Sequence, residues 1–391
     1  MRPLHTLELQ LVKPVRWAED IRRSEDGPEP LGPARWDWQD IRRVLVVRLR
    51  SIGDTVLATP ALRALRRFLP EARIDILLEN WVAPVLDGCP DVDSIITVKR
   101  RSQASRLRLV RELRASRYDV AFNLHGGTTA TLLTWSSGAR HRVGYADYQY
   151  SRLHNHMSPP AALLWRREKT HSVEQQLALL GWTGVPVSDL PPTRLTVTAE
   201  AAESMTAKLR QAGLDDSVPF ALIHPAAAFD TKKWAAQNFA RLIEYLETRG
   251  LTPVVIAASG EADVVNELIA HARVAIVAFT NLSLPEVTAL LSRARLFVGN
   301  DSGVAHIAAA VGAPSVVIFG SSNIWHWRPW ATAPAETVRE DLPCQPCAGY
   351  TCREFDQPEC IRRVRVEQVT AAVERVLKRS GANAACAEFL S

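Results

Sequence analysis

Apolar residues first gather into a continuous run at Val44, Leu45, Val46 and Val47, between Arg43 and Arg48-Leu49. A run without polar alternation is what a parallel sheet buries on both faces. Ile74–Leu78, Ile95–Val98 and Val120–Leu124 repeat the pattern as further strand candidates. Between the first two strands, Leu57, Ala61, Leu65 and Phe68 form a helical stripe whose first turns Pro60 is expected to kink. A connection rich in His, Trp and Pro follows, from about Tyr145 to Pro192. The alternation then restarts, with strands expected at Phe220–Ile223, Thr252–Ala257, Val274–Val277, Arg295–Val298 and Ser315–Phe319. Helical stripes such as Phe239, Leu242, Ile243 and Leu246 separate them, and a last helix is expected from Val366 to Arg379. Strand–helix alternation in two blocks predicts an α/β protein with two doubly wound, Rossmann-like domains facing across a cleft. Ligands would bind in that cleft, at the carboxyl ends of the strands.

The expected organisation is an N-terminal extension over 1–40, poorly ordered because prolines and charges replace periodicity, then a first domain with its connection over 41–192. A second domain over 193–380 carries a Cys-rich segment at 344–360, and 381–391 form a tail. Two domains suit 391 residues, of which 47% are apolar and 23% charged. The net charge of +5 favours anionic partners without identifying them. The start of the chain lacks the continuous apolar stretch of a secretory signal. Val304 to Gly320, the longest near-apolar stretch, contains His306, Gly312 and Pro314 and reads as a buried helix and strand. A cytoplasmic protein with six reduced cysteines is therefore expected. Eight basic residues and one acidic residue lie between Lys99 and Arg117, with Leu107, Val110 and Leu113 as an apolar face. Such a segment is either a solvated helix or one that meets an anionic membrane surface.

Chemistry gathers where strands end. The first strand runs into Ser51-Ile52-Gly53-Asp54, where glycine permits close approach to a ligand. There Asp54 is either a helix cap or a general base projecting into the cleft. A later strand runs into Asn300-Asp301-Ser302-Gly303-Val304-Ala305-His306. Asp301 or Ser302 is expected to cap a helix whose first amides, with the helix dipole, suit a phosphate. Asp301 itself would repel a diphosphate and so suits sugar hydroxyls, while His306 lies one turn further on. The loop from His224 to Trp234 carries Lys232 and Lys233, suited to wrapping a phosphate or simply solvated. Glu261 follows the next strand, placed either to hold ribose hydroxyls or to cap a helix. Neither G-x-G-x-x-G nor G-x-x-x-x-G-K-[ST] occurs, so dinucleotide-binding and ordinary ATPase readings fail. Cys344, Cys347, Cys352 and Cys360 stand at spacings of two, four and seven residues, which suits a structural metal or redox-active thiols without choosing between them.

In chain order these pieces resemble glycosyltransferase family 9, the ADP-heptose:lipopolysaccharide heptosyltransferases. The resemblance covers about Val44 to Val376. It rests on Ser51 to Asp54 with Pro60-Ala61-Leu62, on Asp119 to Gly127, on Lys232-Lys233-Trp234, and on Asn300 to His306 running on to Ser315–Gly320. Ala235 stands where the family usually has proline, and Ala226 to Ala228 replace a more polar loop. The resemblance implies a GT-B fold with the acceptor held by the first half and an ADP-sugar donor by the second. It implies Asp54 as catalytic base, Ser51 and Gly53 at the acceptor side of the cleft, and Lys232, Glu261, Asp301, Ser302, Gly303 and His306 as donor-binding residues. It implies inverting transfer of a heptose or related sugar to a lipid-linked lipopolysaccharide core acceptor, with no required cofactor, no catalytic metal and no nucleic acid. Such an enzyme would work in the cytoplasm or peripherally at the inner face of the cytoplasmic membrane. The rival expectations are a nucleotide-sugar epimerase or hydrolase on the same fold, and a non-catalytic sugar-nucleotide-binding protein.

Overall fold

Both halves of the chain obey the same strand order. A computed structural model describes residues 27–99, 103–215, 217–347 and 350–388. The first half supplies β1 (Arg43–Val47), β2 (Arg73–Glu79), β3 (Ser94–Val98), β4 (Val120–Asn123), β5 (His141–Tyr145) and β6 (His156–Ser158). They form one parallel sheet in the order β3-β2-β1-β4-β5-β6. The second half supplies β7 (Phe220–His224), β8 (Thr252–Ile256), β9 (Val277–Phe279), β10 (Leu296–Asn300), β11 (Ser315–Ile318) and β12 (Ala335–Val338). Their order, β12-β11-β10-β7-β8-β9, is the same doubly wound pattern. The winding therefore reverses between β1 and β4 in one sheet and between β7 and β10 in the other. Those reversal points open crevices at the strands' carboxyl ends.

The unbroken apolar runs behave as their composition requires. Val44 to Val47 are fully buried, and Val44 pairs with Ile74 on one side and Val120 on the other. Pro60 ends the first helical turn: two helices form, Ile52–Val56 and Thr59–Phe68, with proline in the opening turn of the second. Strands β5, β6 and β12 escape the sequence pattern because they are short and mix His, Gly, Glu or Thr with apolar residues. Strand β9 lies at Val277–Phe279, C-terminal to the expected Val274–Val277. The helix Gln103–Ala115 buries Leu109 and Leu113, while Leu107 points outward instead of joining its apolar face.

Part of the expected extension is tied down. The Leu31 amide donates to Gly181 O at 3.0 Å, and the Val187 amide donates to Glu29 O at 2.9 Å. Trp38 Nε1 reaches Thr183 O at 2.9 Å, and the Arg35 guanidinium lies 4.2 Å over the Trp182 ring. Aromatic burial against the connection thus orders 27–42, despite the prolines. Residues 1–26 of that extension, 100–102 of the basic run and 389–391 of the tail lie outside the described residues. The last helix runs Val366–Glu388, past Arg379 and into the expected tail.

The two halves meet through helix starts. Helix Ile52–Val56 follows β1, and helix Gly303–Ala310 follows β10. One continuous cluster of buried side chains runs from Val46 and Val56 through Ala305 and Ile307 to Phe297. The close approach depends on two glycines. A Cβ on Gly53 would stand 2.6 Å from His306 Cδ2, and one on Gly303 would stand 2.8 Å from Ile52 Cβ and 3.2 Å from the Gly53 nitrogen. Gly303→Ala should therefore destabilise the protein by about 1–3 kcal/mol, the usual range for overpacking. A urea midpoint unchanged from wild type would show that the seam yields freely.

Candidate active site

Asp54 is held from three sides. The Ser51 amide and hydroxyl donate to its Oδ2 at 3.1 and 3.2 Å, and Arg48 Nη2 donates to its Oδ1 at 2.5 Å. Arg48 also donates through Nη1 to Leu124 O beyond β4, and through Nε to Asp54 O at 3.3 Å. Burial pushes Asp54 upward. The Arg48 guanidinium, the Ser51 amide, His125 and the Ser51 hydroxyl together outweigh it, so the carboxyl titrates below its ordinary value. The carboxylate bonds back to the cap position and also borders the cleft.

His125 arrives from the other side of the reversal point. Asn123 Oδ1 accepts the amides of His125 and Gly126 at 3.2 and 3.0 Å, folding the chain sharply after β4. Gly126 and Gly127 take φ of +70° and +71°, which side-chain-bearing residues rarely adopt. Burial and then Arg48 bring His125 down to about 4, so it is neutral near pH 7. Arg48, Asp54, His125, Tyr145, Tyr148 and Gln176 share a cavity of about 240 Å³. Its far wall comes from the second half, where helix Ile324–Trp327 contributes His326 and Trp327.

The second half builds a cationic counterpart. Asn300, at the end of β10, donates to Pro225 O at 2.7 Å and accepts the Trp234 amide at 3.1 Å, pinning both ends of the loop between them. Trp234 Nε1 anchors that loop to Val364 O at 2.7 Å. Lys232, on the loop, donates to Asp301 Oδ2 at 2.7 Å, and the Ser322 hydroxyl donates to the same oxygen at 2.5 Å. Ser302 occupies the cap position of helix Gly303–Ala310, but its hydroxyl lies 3.2 Å from His224 Nδ1 and caps nothing. Neither Asp301 nor Ser302 caps the helix as the sequence suggested, because a lysine and a histidine engage them. The first amides of that helix therefore have no side-chain cap, which leaves a ready anion site.

His306 stands between the two clusters. Burial lowers it, Asp301 and Asp54 pull it up, and Lys232 pushes it down, with the first effect winning. Its Nδ1, with His125 Nδ1 and Gln176 Oε1, is a buried polar atom lacking a hydrogen-bond partner among the described residues. A polar ligand in the cavity would give such atoms partners. Glu261 stands beyond β8, the neighbour of β7, and accepts the Ala258 amide at 3.1 Å in the capping role left open for it. Asp54, Gly53, Ser51, Lys232, Asp301, Ser302, Gly303 and His306 thus gather at the two reversal points, with Glu261 one strand away. Arg48, His125, Tyr145, Tyr148, Gln176, His326 and Trp327 line the cavity and were not among the expected site residues. Gly126-Gly127 at a strand end was the available signal for His125; nothing local marked the others.

The four cysteines lie behind the lysine loop. Cys344, Cys347, Cys352 and Cys360 line one cavity of about 180 Å³ together with Thr231. Burial first, then the three neighbouring sulfurs, push Cys360 up to about 11. Among the described residues no group of three His, Cys, Asp or Glu side chains is arranged to hold a metal ion. No described helix is long and apolar enough to cross a membrane.

The profile of glycosyltransferase family 9 (heptosyltransferase) matches residues 106–356. Lipopolysaccharide heptosyltransferase 3 of Escherichia coli is 29% identical over 351 residues, covering 85% of this chain and 98% of that protein. The crystal structure of the glycosyl transferase family 9 protein from Veillonella parvula DSM 2008 superposes with a TM-score of 0.75 at 21% identity, covering 86% of this chain and 97% of that one. The E. coli ADP-heptose lps heptosyltransferase II structure gives 0.72 at 22% identity, covering 87% and 99%. The two structures share the fold described above.

Buried neutral histidines make stability depend on pH. Burial brings His224 to about 4, and burial above all brings His171 to about 3, beside His125 at about 4. The unfolded chain binds these protons near pH 6.5 and the folded chain does not, so stability is full above pH 6.5 and falls towards pH 4. Urea midpoints should drop steadily between pH 7 and 5; a flat profile would contradict the burial of these rings.

Proposed function

Because the chain belongs to glycosyltransferase family 9, the heptosyltransferase family, and is a glycosyltransferase, we propose that it moves a heptose from an ADP-sugar to a lipid-linked lipopolysaccharide core acceptor, with inversion and without a metal. The donor and acceptor classes come from the relatives, named lipopolysaccharide heptosyltransferase and ADP-heptose lps heptosyltransferase. The observation that carries the reading is the convergence of one half-buried carboxylate, Asp54, with Lys232, His306 and an uncapped helix start across the domain seam.

In this reading the acceptor enters the cavity of Arg48, His125 and Gln176. Asp54 takes the proton of its hydroxyl as that oxygen attacks the anomeric carbon, on the face opposite the diphosphate. The bond from that carbon to the leaving oxygen breaks, and its electron pair goes to the diphosphate. Lys232 and the amides at Ser302 and Gly303 balance the charge that develops there, the role a divalent cation would otherwise fill. His306, neutral through burial, offers its unpartnered ring nitrogen to the same group. As the phosphate draws Lys232 away, Asp301 is released to accept from sugar hydroxyls, while Glu261 holds the ribose. Ser51 and Gly53 edge the acceptor side. A lipid-linked acceptor implies work at the cytoplasmic face of the inner membrane, with exposed Leu107, Arg108 and Arg111 turned to anionic headgroups.

Asp54→Asn should lower kcat by ~10²–10⁴, the usual worth of a positioned base, and leave ADP binding by calorimetry unchanged. Equal loss of both would remove Asp54 from the chemistry. Lys232→Ala should weaken ADP binding by roughly 1.5–3 kcal/mol, the worth of a charged hydrogen bond. Rapid nucleotide release from ADP-heptose without acceptor would instead favour a hydrolase.

A further inference from the structure

The geometry points to Arg48 as the positioning residue of this reaction: it locks the Asp54 carboxylate in one orientation at the mouth of the acceptor cavity and supplies its counter-charge. The inference rests on the reading of Asp54 as the base.

Arg48 is the first residue past β1 and is only 6% exposed, yet its guanidinium borders the cavity. Its Nη1 reaches Leu124 O, so it ties the ends of the two strands that flank the reversal point. Its Nε and Nη2 both turn to Asp54, at 3.3 Å to the backbone oxygen and 2.5 Å to Oδ1. With Ser51 holding Oδ2 at 3.1 and 3.2 Å, both carboxylate oxygens are anchored and the group cannot swing. Only a planar fork can make these contacts together; an ammonium supplies a point charge. A buried ion pair is a poor source of net stability, because desolvation offsets the attraction. Its presence in a cavity wall is better explained by what it does to the carboxylate.

The charged and titratable groups about Asp54 are Arg48 beyond β1, His125 beyond β4, Tyr145 at the end of β5 and Tyr148 just past it, His306 on helix Gly303–Ala310 and His326 on helix Ile324–Trp327, and burial raises both tyrosines, which stay neutral. Burial depresses all three histidines, so Arg48 is the positive charge opposite this carboxylate at neutral pH. Without it the carboxyl stays buried but loses its counter-ion, and its pKa must rise.

The test compares wild type, R48K, R48Q and D54N as full-length proteins. It measures kcat against pH, KM for the ADP-sugar, and titration of the aspartate ¹³C carboxyl resonances, Asp54 being the one missing from D54N. R48Q should lower kcat, leave the donor KM unchanged, and move both the acid limb and the Asp54 titration upward by ~1–3 pH units. R48K should keep both near their wild-type positions, because the charge remains, while recovering only part of kcat. A lowered kcat in R48Q with neither titration displaced would reduce Arg48 to a structural stitch and overturn the proposal. Should R48Q not fold, R48K decides: a wild-type kcat, a displaced acid limb or a lowered urea midpoint overturns the proposal, and a reduced kcat with an undisplaced acid limb and a wild-type urea midpoint upholds it. An active D54N would instead sink the reading of Asp54 itself, a separate outcome.

Discussion

Two helix starts touching across a domain seam set the terms for everything else in this molecule. Gly53 and Gly303 let the backbones beyond β1 and β10 come within reach of one another, and His306 fills the notch between them. Both helices begin at the reversal point of their sheet, where a doubly wound fold already opens a crevice. Without that contact there would be two crevices, each with half a constellation. With it, a carboxylate from one half and an ammonium from the other both act on His306 between them.

Charge in that space is organised as two pairs, Arg48 with Asp54 and Lys232 with Asp301. Both are substantially buried, and in each the acid takes more than one donor. Burying such groups is costly unless they are paired and hydrogen-bonded, and here they are. The neutral, partner-poor atoms of His125, Gln176 and His306 lie between and beside them. The protein alone does not satisfy those atoms, which is a common signature of a surface shaped for something else.

Much of this was legible from the residues. Unbroken apolar runs such as Val44 to Val47 announced parallel strands, and the polar clusters directly after them announced the site, because strand ends are where a doubly wound sheet binds. Two edge strands were not legible: His156–Ser158 has three residues, and Ala335–Val338 mixes Glu and Thr into its run. Capping was misjudged at Asp301 and Ser302 for a physical reason. Local sequence shows the amides those side chains could bond, but not Lys232 and His224, which arrive from β7 and its loop and engage them first. The first half's cavity was the least legible part. Tyr148 and Gln176 lie in separate segments of the first half, and Trp327 joins them only from the second.

The segment after β11 belongs to the second half but is fastened to the first. His171 Nε2 lies 2.8 Å from Arg328 O, and Trp330 Nε1 donates to Pro191 O at 3.1 Å. It carries His326 and Trp327 into the first half's cavity. Any rocking of one half against the other would therefore reshape both binding spaces at once. The occupancy of one would then bias the affinity of the other, and thermodynamic reciprocity makes that influence equal in both directions.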